Sequence, residues 1–202
     1  MCKRLQDPEN NFKSVKLTEV IRLAFDFWKN APTKIKRILT IAAFFFLSII
    51  ITVAGTLTPL SLEEANEIEQ ELEEMRGKIN VQLIFGNNFM ICLAMFVPIA
   101  GPLFGCYVLY STGIVIAAES IVQGLPPLMI FLFLFVFPFT WLEFLAYSTA
   151  FSASVWLTWR IIQRRGKKEL VNACIFISIC AVMLLVAAII EMALISYLGG
   201  LG

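Results

Sequence analysis

The chain has no histidine, no aspartate after Asp26, and only two charged residues, Glu119 and Glu143, among the 81 positions from Ile79 to Trp159. Each shortage closes off a class of function. Without histidine there is no Ser–His–Asp or Cys–His nucleophile pair, no HExxH zinc site and little basis for a catalytic zinc. Without aspartate in the apolar region an intramembrane aspartyl dyad is excluded, and no P-loop is present. The five cysteines (Cys2, Cys92, Cys106, Cys174, Cys180) have neither metal-ligand nor secreted-scaffold spacing and read as small buried hydrophobes. A net charge of +1 gives no footprint for nucleic acid. The expectation is a non-enzymatic protein without metal or cofactor. The missing charge in the middle also excludes a water-soluble domain of that size.

What is present is apolar length. Hydrophobic residues make up 59% of the 202 positions, and mean hydropathy is +0.81. A helix needs roughly 20 apolar residues to cross a hydrocarbon core of about 30 Å. The charge-poor blocks supply enough for about five crossings, with candidate spans at 38–60, 79–100, 103–122, 128–159 and 171–197. Runs such as FFFLSIII and MIFLFLFVF do not alternate apolar with polar, so a β-barrel is ruled out in favour of helices. The predicted fold is all-α, a polytopic membrane helix bundle forming one transmembrane domain over 38–202, preceded by a basic cytoplasmic segment over 1–37.

Charge is distributed unevenly. Nine of sixteen basic residues precede the first span, and five more lie between Arg160 and Lys168, whereas seven glutamates crowd Glu63 to Glu74. The positive-inside bias places the N-terminus and the Arg160–Lys168 loop in the cytoplasm, and the acidic segment and the C-terminus outside. An odd number of crossings must then separate Lys78 from Arg160, and three fit. No cleavable signal peptide is expected, because the first 30 residues are too polar. The setting is a cell membrane.

In KSVKLTEVIRLAFDFWKNAP, residues Leu17, Val20, Ile21, Ala24, Phe25 and Trp28 recur at helical spacing opposite Lys16, Glu19, Arg22, Asp26 and Lys29. This predicts an amphipathic helix lying on the cytoplasmic membrane surface, an anchor or a docking site. Ser61 and Glu64 have capping-box spacing and open a short acidic extracytoplasmic helix with a thin stripe of Leu62, Ala65, Ile68, Leu72 and Met75. Its glutamates form either a solvated face or a surface for an outside partner. Gly101 and Gly105 are at GxxxG spacing, but Pro102 between them predicts a turn. The fourth span is 32 residues long and is interrupted by Pro138, which predicts a kink or two helical pieces. Ala146, Ala150 and Ser154 recur every four residues and let another helix, internal or from a second copy, approach closely.

Carboxyls within spans are functional candidates by default. Glu119 and Glu191 fall near the outer interface and read as solvated. Glu143 is placed deeper. Asn87 and Asn88 enter from the same side and reach similar depth, so Asn87, Asn88 and Glu143 form a candidate intramembrane polar cluster. Either it is a clasp locking two spans or it is a proton or ion path.

Three segments carry a family resemblance: Phe85, Asn87 and Asn88 in IFGNN; the run GPLFGCYVLYSTGIVIAAES; and Pro138, Glu143 and Ala146 in PFTWLEFLA. Residues 79–159 resemble the stage II sporulation protein M family, whose pattern of Pro-His-Gly, two variable residues, Glu, then Ala three further on is matched except that Phe139-Thr140 replaces His-Gly. The resemblance implies an integral membrane scaffold that, in spore formers, holds cell-wall hydrolases together during engulfment. The expected function is therefore a membrane scaffold or complex subunit. Its partners would be the lipid bilayer, other membrane or peripheral proteins, and on the small-residue face a second copy of itself. The alternative is a small transporter or channel subunit built on Asn87, Asn88 and Glu143.

Overall fold

A computed structural model describes residues 19, 22, 28–76 and 79–199. Two compact units are distinguished, Met1–Thr40 and Ile41–Gly202. Most of the expected amphipathic helix lies outside the described residues. Glu19, Arg22 and residues 28–30 are helical, and Lys36 Nζ donates to the Lys29 carbonyl at 3.3 Å.

The described residues hold seven longer helices and no strand: α1 (Thr33–Thr56), α2 (Leu62–Arg76), α3 (Val81–Met95), α4 (Ala100–Gln123), α5 (Pro127–Leu134), α6 (Pro138–Ile162) and α7 (Gly166–Gly199). Three are long and apolar enough to cross a bilayer: α1, α4, and α7 over Glu169–Tyr197. The pair α5–α6 makes a fourth when counted as one broken span, its halves bent by 87°. At 15 residues, α3 rises about 22 Å, short of a hydrocarbon thickness of about 30 Å. Each of the five predicted spans thus corresponds to apolar helix, while the number of complete crossings by length and composition is three or four.

Several boundaries differ from expectation. The second span ends at Met95, and the turn occupies residues 96–99. The GPLFG segment is therefore the opening of α4, where Pro102 falls in a first turn that needs no N–H from it. Gly101 and Gly105 are both packed: an added Cβ at Gly101 would lie 2.1 Å from the Met95 carbonyl oxygen, and one at Gly105 would lie 2.5 Å from the Phe151 ring. Pro138 opens a new helix instead of kinking a continuous one. It has no N–H to offer the previous turn, and Phe137 before it is extended (φ −90°, ψ 133°). The carbonyls freed at the break are satisfied by side chains: Thr140 Oγ1 donates to Leu134 O at 2.8 Å and Trp141 Nε1 donates to Phe135 O at 2.8 Å. A break in apolar surroundings survives only when its backbone groups find such partners.

The acidic helix α2 starts on the predicted capping box. The Ser61 N–H and hydroxyl both meet Glu64 Oε2 at 2.8 Å, and the Glu64 N–H donates to Ser61 Oγ at 3.3 Å. Its narrow apolar stripe packs on α4, with Ala65 fully buried. The core of the larger unit is formed chiefly by α3, α6 and α7. It includes Cys92, Met95, Phe144, Ala146, Ala150, Phe151, Cys180 and Leu184.

Candidate functional site

Asn80 accepts a hydrogen bond from the Leu83 N–H at 2.9 Å and fixes the start of α3. Asn88 follows two turns later. The break before Pro138 resets the chain so that Glu143 falls in the second turn of α6. There Asn88 Nδ2 donates to Glu143 Oε1, joining α3 to α6. Asn87, exposed, lies beside this bond on the wall of the same cavity.

That cavity has a volume of about 620 Å³ and is built from five helices and the entrance to α3. Asn87, Asn88, Glu119, Glu143 and Glu191 supply its polar wall, and Leu72, Met75, Leu83 and Val115 supply much of its apolar wall. Among the described residues no lysine or arginine lines it. Glu119, on α4, accepts from Gln123 Nε2 at 2.9 Å. Glu191, on α7, is half-buried on the wall of the same cavity. The three carboxyls that lie in separate predicted spans therefore share one cavity, and two residues of α2 close part of it. Among the described residues no group of three or more His, Cys, Asp or Glu is placed to hold a metal ion. The cavity can form hydrogen bonds, exchange protons and attract positive charge. Among the described residues its lining holds no nucleophile–base pair.

The small-residue face is buried within the chain. Ala146, Ala150 and Ser154 are each 0% exposed. Helix α6 packs along α7 and against α3, and Ser154 Oγ donates to the Val97 carbonyl at 2.8 Å. Phe151 stacks on Phe44 with ring centroids 5.4 Å apart.

Sequence reasoning placed Glu119 and Glu191 in solvent near the outer interface. The structure places both on the cavity wall, half-buried. For Glu191 a signal was available. Cys180, Leu184, Ala187 and Glu191 follow one another at steps of four, three and four, and the first three are each 0% exposed, so this glutamate continues the buried stripe of α7. For Glu119 there was none, because its place in the cavity depends on how α2 folds back over α4.

The family model of stage II sporulation protein M matches residues 40–196. The chain belongs to that family. The match takes in α2 and α7 as well as the central helices that carry the sequence resemblance. No curated protein and no solved structure matches the chain. Family membership and the long apolar helices together make it a multi-pass membrane protein.

Proposed function

We propose that this chain is a non-enzymatic membrane scaffold or complex subunit, with its N-terminus and the Arg160–Lys168 turn in the cytoplasm and its C-terminus outside. The observation that carries the reading is the mounting of α2. One face of this helix is held on α4, while Glu63, Glu67, Glu71 and Glu74 stand exposed on another, separated by steps of four, four and three residues. A charged helix fixed by one face to a membrane bundle is suited to hold a basic partner outside. The basic segments are suited to hold partners within. The Asn88–Glu143 bond belongs to the same reading, since it joins helices that the platform needs in register.

The test is co-purification from membranes. Glu→Gln at positions 63, 67, 71 and 74 together should leave a monodisperse protein that has lost an associated protein. An unchanged set of partners would remove the support for α2 as a docking surface. Reconstituted liposomes examine the competing role: proton or solute flux that disappears with Glu143→Gln would move the reading toward transport. Orientation has its own check, thiol labelling of Gln70→Cys and Gly166→Cys from one side of the membrane. Equal labelling of both would contradict the assignment of sides.

A further inference from the structure

We propose that Cys92 and Cys180 form an oxidisable dithiol whose disulfide is a covalent staple between α3 and α7. Both residues are 0% exposed. Both thiols point at a single acceptor, the Ala146 carbonyl oxygen, at 4.0 Å from Cys92 and 3.5 Å from Cys180. Helices α3 and α7 pack together with α6 alongside both. Two sulfurs on different helices therefore converge on one carbonyl of a third. The other described cysteines are placed differently: Cys106 is half-buried on α4 and Cys174 is exposed on α7.

The reaction joins the sulfurs and removes two protons and two electrons, and its acceptor is a quinone dissolved in the bilayer, which leaves as quinol. Reactants and products are all neutral, so no charge is stranded in an apolar core where an isolated charge is very unfavourable. A sulfinate, or a metal held by two thiolates, would strand one. Enclosure makes the reaction slow, as it does for buried thiols in general, and makes the disulfide equally slow to reduce.

The placement gives the staple a role. Cys92 lies one turn beyond Asn88 on α3, and Ala146 lies about one turn beyond Glu143 on α6. The staple therefore sits next to the polar bond that joins those helices and would hold α3 in place when that bond is lost. A disulfide of this kind restricts mainly the unfolded chain.

The experiment uses the full chain in lipid nanodiscs, treated with a fully substituted alkyl quinone, whose ring has no position open to thiol addition. Free thiols are then alkylated in SDS and the peptides mapped by mass. The expected result is a Cys92–Cys180 linked peptide lighter by two hydrogens, with Cys106 and Cys174 alkylated as before and full reversal by a reductant. Alkylation of Cys92 and Cys180 as complete as in untreated protein would overturn the proposal, as would linkage of either to another cysteine. Unfolding in SDS should slow at least about tenfold after oxidation, in the wild type and in Glu143→Leu alike. Equal rates with and without the link would overturn the staple. Cys92→Ser and Cys180→Ser should each abolish the linked peptide. If either fails to fold, the wild-type map still decides.

Discussion

Two helix seams in this bundle are built on opposite principles. Where α1 meets α4, backbone lies on backbone: an added Cβ at Gly113 would lie 2.2 Å from the Thr52 carbonyl oxygen, and one at Gly55 would lie 2.2 Å from the Tyr110 carbonyl oxygen, with a single side-chain hydrogen bond, Thr58 to Tyr110 at 2.9 Å, just past the end of α1. Ser48, Thr52 and Thr56 are buried on α1, but their hydroxyls donate back to Phe44, Ser48 and Thr52 of the same helix at 2.8, 3.0 and 2.9 Å. Where α3 meets α6, polar side chains reach across, Asn88 to Glu143 near one end and Ser154 to Val97 near the other. Lipid gives helices no hydrophobic reason to associate, so they adhere by close backbone approach or by interhelical hydrogen bonds. This protein relies chiefly on the first device at one seam and on the second at the other. The two should fail differently: a close-packed seam tolerates no added atom, and a hydrogen-bonded seam tolerates any isostere that keeps the bond.

The largest effect should come from Gly113→Ala. The atoms an added methyl would meet are backbone, Thr52 O at 2.2 Å and Thr56 N at 2.6 Å, and backbone in a helix cannot turn aside. A loss of about 3 kcal/mol, the upper end for overpacking, is expected in SDS-titrated unfolding. Gly86→Ala, where nothing lies within 4 Å, serves as the reference and should stabilise α3 by about 0.5–1 kcal/mol. Similar behaviour of the two variants would erase the distinction between the seams.

Glu143 tests the other seam. Glu143→Leu leaves Asn88 without its acceptor in a partly buried site, a loss of about 2 kcal/mol. Glu143→Gln keeps an oxygen for Asn88 and should stay within about 1 kcal/mol of wild type, in line with the modest value of interhelical hydrogen bonds in membranes. Equal losses for Gln and Leu would show that the charge or the side-chain shape matters at this seam, and not the hydrogen bond.

How legible each seam was in the sequence follows from how it is built. The apolar runs gave the helical class and the membrane setting, because length and composition are local properties. Asn88 and Glu143 were legible as a pair, because polar side chains in an apolar run need partners and the order of the spans put them at similar depth. Gly55 and Gly113 were not, because a glycine in a helix looks the same whether it faces a backbone, as here, or open space, as Gly86 does. The cavity was half-legible. Its asparagines and Glu143 were foreseen, whereas the inclusion of Glu119 and the closure by Leu72 and Met75 depend on α2 packing on α4. Pro138 signalled a break, but the 87° bend also needs Thr140 and Trp141 to bond the freed carbonyls, a non-local fact.

The turn between α3 and α4 connects the seams and offers a finer test. Ile99 has φ 68° and ψ −57°, and the Ala100 N–H closes a tight γ-turn onto the Pro98 carbonyl at 2.8 Å. A β-branched residue is strained there. The strain is held by α6, since the Ile99 N–H donates to Thr158 Oγ1 at 3.2 Å beside the Ser154–Val97 bond. The Ile99 side chain is 71% exposed, so its removal sacrifices little packing. Ile99→Gly should therefore raise the thermal midpoint by an amount equivalent to about 1 kcal/mol. A fall would mean that the isoleucine side chain contributes contacts that outweigh its backbone strain.

The smallest effect concerns the start of α2, the helix whose stripe packs on α4. Hydrogen bonds from the Ser61 N–H and hydroxyl hold the Glu64 carboxyl below its ordinary value of 4.5. A carboxyl with a lowered folded-state value binds its proton more weakly when folded. Its contribution is therefore complete above the ordinary value and is lost as pH falls through the folded one. Glu64 is fully exposed, so the consequence is local: amide exchange at Ala65, whose N–H donates to the Ser61 carbonyl at 3.0 Å, should accelerate relative to mid-helix amides as pH drops below 4.5. Ser61→Ala should show faster relative exchange at all pH values, with a smaller pH step, because the backbone N–H of residue 61 still donates to the Glu64 carboxylate. A wild-type profile without the pH step would show that the Glu64 carboxylate does not hold the first turn of α2.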